Sequence, residues 1–135
     1  MSVPVSELKG MSPEMAQKLI AMGIKNNEQF LEAAQAPENR KQLAQQLGCE
    51  TRPVLELANR ADLSRVKGVA GTYSDLLEQA GVDTVKELAT RRADNLHAKI
   101  LEVNAERKIT SRPPTADMVT AWVAQAKELP KILAY

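Results

Sequence analysis

The sequence predicts an all-α protein in which two tandem helical repeats pack into one compact domain of 135 residues. The first observation behind this prediction is an internal repeat: SELKGMSPEMAQKLIAMGIKNNEQFL matches SRVKGVAGTYSDLLEQAGVDTVKEL at a constant offset of 58 residues. The second is helical periodicity, because apolar residues recur at steps of three and four between start and stop signals. The third is that no segment alternates apolar and polar residues for long enough to predict a strand.

The first repeat, residues 1–63, is predicted to contain four helices. Ser12 can cap the first helix, and Gly23 ends it because glycine tolerates the left-handed conformation that closes a helix. The buried stripe of this helix is expected to comprise Met15, Leu19 and Met22. The other helices are predicted over residues 27–34, 37–47 and 53–60, the last of them capped by Thr51.

The second repeat, residues 64–135, is predicted to follow the same order. Its helices are expected over residues 72–80, 84–91, a longer stretch capped by Asp94, and 116–129. The segment KITSRPPT, residues 108–115, is predicted to be non-helical because Arg112 precedes a proline and is driven out of helical geometry. This segment is either an ordered connection or a mobile loop.

The loops at the start of the two repeats carry a recognisable pattern. Between Leu8 and Pro13, and again between Val66 and Thr72, a Lys-Gly-hydrophobic-small loop separates a short helical turn from a new helix. The segments LKGMSPEMAQKLIAMGI and VKGVAGTYSDLLEQAGV resemble helix-hairpin-helix motifs, whose loop typically carries Gly-hydrophobic-Gly. The paired arrangement is similar to an uncharacterised bacterial family of duplicated helix-hairpin-helix domains, and the resemblance covers nearly the whole chain in pattern.

The resemblance implies candidate phosphate contacts. In nucleic-acid-binding members of the wider superfamily, the loop amides and the start of the following helix face phosphate oxygens, an arrangement that is indifferent to base sequence. The matching positions are Gly10, Met11 and Ser12 in the first loop and Gly68, Val69 and Ala70 in the second, with Lys9 and Lys67 as adjacent cations. Arg65 also flanks the second loop. The second glycine of the pattern is replaced by Ser12 and Ala70, which places a Cβ atom where the backbone should approach phosphate. Gly71 could compensate in the second loop by a shift of one residue.

The charge distribution does not favour a nucleic-acid protein. The chain has 18 basic and 17 acidic residues, a net charge of +1, and its two repeats carry −1 (7 basic, 8 acidic) and +2 (11 basic, 9 acidic). If one hairpin binds phosphate, the second is favoured, because further cations follow it in the sequence: Arg91, Arg92, Arg107, Lys108 and Arg112. The alternative is purely structural, with each loop letting two helices cross closely while Met11 and Val69 fill the core.

Catalytic chemistry is not indicated by the sequence. The only imidazole, His97, and the only thiol, Cys49, lie in different repeats, and His97 is expected on the polar side of its helix. No metal-ligand spacing, glycine-rich phosphate loop or dinucleotide fingerprint occurs, so no metal, cofactor or small-molecule substrate is expected. Aspartates near predicted helix starts are explained by capping. We therefore expect a protein that is not an enzyme.

Two residues are candidates for a partner interface. Trp122 either fills a seam between the repeats or stays partly exposed as an interface anchor, and Arg112 is the second candidate. Tyr73 aligns with Met15 and is expected in the core before it is considered as a ligand platform.

The sequence thus predicts a non-catalytic binding module, first of all a protein–protein adaptor or assembly factor. The alternative is weak, sequence-independent nucleic-acid binding at the second hairpin. A third hypothesis is a recruitment module that uses the 108–115 loop or the tail after Pro130 as its contact. No run approaches ~18 apolar residues and no leader is evident, so a soluble cytoplasmic protein without a membrane partner is expected.

Overall fold

The computed structural model describes residues 2–69 and 71–135, and these are helical, which confirms the all-α prediction. A 3-10 turn at Val5–Glu7 comes first. The helices are α1 (Pro13–Ala21), α2 (Asn27–Ala33), α3 (Pro37–Leu47), α4 (Thr51–Leu63), α5 (Thr72–Gln79), α6 (Val85–Ala89), α7 (Ala93–Arg107) and α8 (Ala116–Glu128). Within the described ranges there is no strand, only one isolated bridge between Pro4 and Asn26.

Helix α4 differs from its prediction at both ends. It begins at Thr51, so Thr51 is its first residue and not its cap, and Glu50 occupies the cap position without a side-chain hydrogen bond. The helix also continues beyond Arg60 to Leu63. The side chains of Arg60 and Asp62 near this end of the helix are both buried and paired within the protein.

The buried face of α1 also differs from its prediction. Leu19 is fully buried and Met15 is half-buried, but Met22 is 42% exposed. Met22 occupies the cap position where the helix closes, and Ala16, three residues before Leu19, takes the buried position instead. The stripe therefore lies nearer the start of the helix than the apolar pattern indicated.

The core consists of two clusters of buried side chains that meet along α4. The first comprises Val5, Leu8, Leu19, Phe30, Leu31, Ala34, Leu43, Ala44, Leu47, Val54, Leu57, Ala58, Ala61 and Leu133. The second comprises Leu63, Val66, Val69, Leu76, Leu77, Ala80, Val82, Val85, Leu88, Leu96, Ile100, Val103, Val119, Trp122, Val123 and Ala126. Leu133 is the member that breaks the sequence order, since the tail returns from the end of α8 to the first cluster.

Helix pairing recurs between the two halves of the chain. In the first half α1 packs on α3, and both α2 and α3 pack on α4. In the second half α5 packs on α7, and both α6 and α7 pack on α8. Side chains 58 residues apart fill equivalent places, because Leu19 and Leu77, and likewise Phe30 and Leu88, are fully buried.

The 108–115 segment is an ordered connection. The side-chain amide of Asn104 donates to the Thr110 carbonyl at 3.0 Å and accepts from the Thr110 amide at 2.9 Å. His97 Nε2 lies 3.0 Å from the carbonyl oxygen of Pro114, so this ring is half-buried against the connection and does not lie on an open polar face. Across residues 2–69 and 71–135, no helix has the length and apolar composition that crossing a bilayer requires.

Candidate functional site

The two glycine loops singled out by the sequence share the conformation of their glycines. Gly10 and Gly68 have φ values of +93° and +88°, in the region that glycine occupies without a Cβ clash. The residue after each glycine donates its amide to the carbonyl three residues before that donor, Met11 to Leu8 and Val69 to Val66, at 3.0 Å in both cases. The loops then diverge, because Ser12 precedes α1 with φ −84° whereas Gly71 precedes α5 with φ +53°.

The first hairpin faces the second half of the molecule. The ammonium group of Lys9 donates to Asp75 Oδ2 at 3.2 Å, which links the loop to α5. Ser12 Oγ accepts the amide of Met15 at 3.1 Å and thus caps α1. The cation and the helix cap that a phosphate would need are both engaged within the protein.

Asp75 is the centre of a polar cluster at this junction. Its carboxylate also accepts from Arg60 Nη2 at 3.2 Å, and Arg60 pairs in addition with Glu78 and with the hydroxyl of Ser74. Burial by itself raises the pKa of Asp75, but the hydrogen bonds from Arg60 and Lys9 outweigh it and hold that pKa below its ordinary value. The carboxylate is therefore charged near neutral pH and ties α4, α5 and the first loop together.

Arg65, a candidate phosphate contact at the second hairpin, is instead 93% buried and paired within the protein. Its guanidinium donates to Asp62 Oδ1 at 2.7 Å and 3.1 Å and to the carbonyl of Pro130 at 2.9 Å. The other carboxylate oxygen, Asp62 Oδ2, accepts the amide of Val85 at 2.8 Å. The one sequence signal for this pairing is the three-residue spacing of Asp62 and Arg65 across the end of α4.

The remaining residues of the second hairpin are mixed in their exposure. Lys67 is exposed, although its backbone amide donates to Gln125 Oε1 at 2.6 Å. Val69 is fully buried, as the structural alternative expected, and Gly71 is exposed with φ +53°. Ala70, also a candidate, lies outside the described residues. In the described part of the loop the Lys67 side chain and the two glycines are exposed, whereas the amides of Lys67 and Val69 are engaged within the protein.

The aromatic rings of Trp122 and Tyr73 pack against each other next to the second hairpin. Trp122 is 3% exposed and belongs to the second core, so it is neither an exposed anchor nor a filler between the halves. The two rings lie 5.4 Å apart at an interplanar angle of 51°. A Cβ atom built on Gly68 would lie 3.3 Å from Trp122 Nε1, and this indole N–H has no hydrogen-bond partner among the described residues. A single donor therefore faces the glycine of the loop.

Only part of the predicted basic surface lies at this hairpin. Tyr73 donates its hydroxyl to the carbonyl of exposed Arg112 at 2.8 Å, which brings the 108–115 connection to the start of α5. Arg91 donates to the carbonyl of Gly81, and Arg107 to Gln79, at the other end of that helix. An eight-residue helix is about 12 Å long, so these two arginines do not reinforce the hairpin.

A wide groove of about 720 Å³ lies elsewhere, along α3, α4 and the tail. Its walls combine apolar side chains with charges of both signs: Pro37, Arg40, Thr51, Arg52, Leu55, Glu56, Asn59, Glu78, Asp83 and Tyr135. No imidazole or thiol lines it. Across the described ranges no three histidine, cysteine or acidic side chains are grouped so that they could hold a metal ion.

Over the residues that the structure describes, the protein is all-α, with two core clusters and two loops that each contain a glycine at positive φ. A family model described as "Domain of unknown function (DUF4332)" matches residues 9–129, and the chain belongs to this family. Neither the search of curated proteins nor the search of solved structures returned a match.

Proposed function

We propose that this chain is a non-catalytic protein–protein adaptor or assembly factor built from two helix-hairpin-helix repeats, residues 1–63 and 64–135. The repeats are supported by the shared loop geometry, because Gly10 and Gly68 adopt the same conformation and the same hydrogen bond closes each loop. They are also supported by the recurring order of helix pairing in the two halves. The single cysteine, Cys49, is free, which suits the reducing cytoplasm where we propose that the protein works.

The adaptor proposal rests on one observation: two of the cations that a phosphate-binding site would need form ion pairs within the protein. Lys9 pairs with Asp75, and Arg65 pairs with Asp62. A backbone binder gains most of its affinity from cations that replace counterions on phosphates, and each internally paired cation reduces that gain. A near-neutral binding module without such cations is better suited to a protein surface than to a polyanion.

Exposed apolar side chains identify a candidate surface for the partner contact. Ile20 and Met22, on and just after α1, are 45% and 42% exposed. Apolar side chains of this size contribute most where they become buried against a partner. We expect the α1 surface around Ile20 to take part in the contact.

The test compares proteins captured from native lysate by the purified chain, by Ile20→Lys and by Gln42→Lys. Gln42 is an exposed residue on α3 and supplies the same added charge away from α1. A partner retained by the wild type and by Gln42→Lys but lost with Ile20→Lys supports the proposal. Equal capture by all three proteins rejects this surface, and capture of nucleic acid alone rejects the adaptor function.

A second candidate function, weak nucleic-acid binding at the second hairpin, is favoured by one specific observation. The indole N–H of Trp122 faces Gly68 without a partner among residues 2–69 and 71–135, and exposed Lys67 and Arg112 flank the same loop. A donor and two cations together suit an anionic oxygen. With so few cations, the affinity is expected to be low and independent of base sequence.

Fluorescence anisotropy with labelled single- and double-stranded DNA and RNA separates the two candidates. Under the second candidate, binding weakens linearly on a log–log salt plot, and both Lys67→Glu and Trp122→Phe reduce it. Phenylalanine keeps an aromatic ring in the core but removes the indole donor. Lys41→Glu, on α3, is the charge-matched control. A flat titration at low salt, or equal losses with Lys41→Glu, rejects nucleic-acid binding at this hairpin.

A further inference from the structure

The wide groove along α3, α4 and the tail is lined by more charges than the protein pairs internally. Arg52 pairs with Glu56 at 3.4 Å, whereas neither Arg40 nor Asp83 forms an ion pair in the described part of the chain. Glu78, the remaining charged residue of the lining, is held by a buried arginine of α4. After internal pairing the groove therefore keeps one cation and one carboxylate.

The unpaired cation, Arg40, is buried. It is 4% exposed, and its two terminal nitrogens donate to backbone carbonyls, that of Ala34 at 2.9 Å and that of Ala134 at 2.8 Å. Burial lowers the pKa of its guanidinium, and Tyr135 only partly opposes this shift. A buried guanidinium is best compensated by an anion, and no residue in the described ranges supplies one.

One N–H group of Arg40 is available to such an anion. Arg40 Nε has no hydrogen-bond partner among the residues that the structure describes. Among those same residues, every buried side-chain nitrogen or oxygen that is sealed from solvent has a partner, so this N–H must be open to solvent. The groove is the open space that Arg40 lines. An anion in the groove can therefore reach a donor whose side chain is already fixed by two carbonyls.

Asn59 and Tyr135 place a second donor and a flat apolar surface beside Arg40. The ring of Tyr135 lies 5.9 Å from the Arg40 guanidinium carbon, and its hydroxyl donates to Asn59 Oδ1 at 3.0 Å. Burial and the charges of Asp62 and Asp83 raise the pKa of Tyr135 to about 12, so the hydroxyl stays protonated at neutral pH. The side-chain amide nitrogen of Asn59 has no partner within the described ranges and can donate to a ligand.

Asp83 supplies the negative charge of the groove. It lies between α5 and α6, whereas Arg40 lies on α3, so the two unpaired charges come from different halves of the chain. Its side chain is exposed, although partial burial raises the pKa of its carboxyl group, as do the charges of Glu78, Glu87 and Asp62. These neighbouring carboxylates create a negative potential that favours a cation at this position.

We propose that the groove binds a small zwitterion, whose carboxylate contacts Arg40 Nε and Asn59 and whose ammonium group pairs with Asp83. The apolar part of such a ligand would pack against Leu55 and Tyr135. A volume of about 720 Å³ is typical of sites for small molecules. A dianion such as phosphate suits the groove less, because three carboxylates line the same walls. The inference does not rest on the adaptor proposal, whose contact surface is on α1.

The test follows the Arg40 Nε–H signal by heteronuclear NMR while the wild-type chain is titrated with ε-aminocaproate, caproate or hexylamine. These probes share a six-carbon chain and differ in their charged ends. We expect both carboxylates to shift the Arg40 signal saturably, with dissociation constants of the order of millimolar for ligands of this size, and hexylamine to leave it in place. ε-Aminocaproate should bind about two- to fivefold more tightly than caproate, because it adds an ion pair with an exposed carboxylate.

Asp83→Asn tests the contact with the ammonium group. The change removes a charge at an exposed position, so the fold should be retained, and ε-aminocaproate should then bind no more tightly than caproate does. Asp117→Asn, the same change at an exposed position on α8, is the matched control and should preserve the difference between the two ligands.

Arg40→Met should abolish the binding of both carboxylates. Because Arg40 is buried, this variant could fail to fold, but the Arg40 signal of the wild type reports the contact without any substitution. Absence of a saturable shift of that signal with either carboxylate overturns the proposal. Equal affinities of ε-aminocaproate and caproate for the wild type, or a difference that survives Asp83→Asn, also overturns it, since the ligand would then make no use of Asp83.

Discussion

Replacing Asp62 by alanine should be among the most destabilising single changes near the second hairpin. Asp62 is 3% exposed and accepts two hydrogen bonds from Arg65 and one from the Val85 amide. The substitution removes the acceptor of all three hydrogen bonds. Breaking a buried ion pair by removing one partner costs about 3–5 kcal/mol, since an uncompensated charge remains in the interior. A domain of this kind is stable by about 5–15 kcal/mol, so Asp62→Ala should remove about a fifth or more of that stability.

The assay is urea unfolding followed by circular dichroism at pH 7, with Arg65→Met and the double variant completing a thermodynamic cycle. If the pair is the cause, the double variant should lose less than the sum of the two single losses, because neither charge is then left alone. Methionine keeps much of the aliphatic volume of Arg65, so packing changes little. Thr120→Ala, at an exposed position on α8, serves as a control near zero.

A loss below about 1 kcal/mol for Asp62→Ala would refute this reasoning, because losses of that size are ordinary for exposed ion pairs. Absence of coupling in the cycle would refute it as well. Either result would mean that Arg65 is not held by Asp62, and Arg65 would then return as a candidate phosphate contact.

The remaining predictions concern the junction between the halves and the loop glycines. Because the pKa of Asp75 is lower in the folded than in the unfolded state, its charge contributes to the free energy of unfolding. This contribution is complete above the unfolded pKa of about 3.9 and is lost as the pH falls through the folded pKa. Asp75→Asn should therefore lower the free energy of unfolding at pH 7 and flatten its decline in acid, as measured by urea titrations at pH 7, 4 and 3. An unchanged acid decline would contradict this assignment. Gly10→Ala and Gly68→Ala should each cost about 1–2 kcal/mol for the positive φ. Gly68→Ala should cost more in the same assay, because its new Cβ would lie 3.3 Å from Trp122, whereas the new Cβ at Gly10 would lie 3.7 Å from Leu57. Equal losses for the two variants would count against the contact with Trp122.

Local signals predicted the helices well where glycine, proline and a cap coincided. The predicted helix over residues 37–47 is α3 itself, with Pro37 at its first position and Gly48 in the left-handed conformation at its end. Thr115 caps α8 and Thr84 caps α6 through their hydroxyls, as such residues do when an amide three positions on is free. These caps and helix ends depend on residues within about one helical turn, which is why they can be predicted from the sequence alone.

The candidate site was less predictable because burial depends on distant partners. Because arginine is mostly exposed in proteins, the sequence predicts a surface cation at Arg65, whereas the fold buries it and places the Pro130 carbonyl against its guanidinium group. The docking of Leu133 depends in the same way on a surface built more than 70 residues earlier in the sequence. No periodic pattern in six residues encodes such a contact.

The two glycine loops have similar φ values at their glycines but different surroundings. Gly10 and Gly68 adopt the same conformation, but Lys9 reaches Asp75 in the other half while Lys67 stays at the surface. The first loop is therefore part of the junction, and any ligand there would have to compete with a buried carboxylate for the ammonium group. The second loop has no such competitor for the side chain of Lys67 among the described residues. A binding role shared by both hairpins is thus disfavoured by the fold, and differences between them, not their likeness, are where function should be sought.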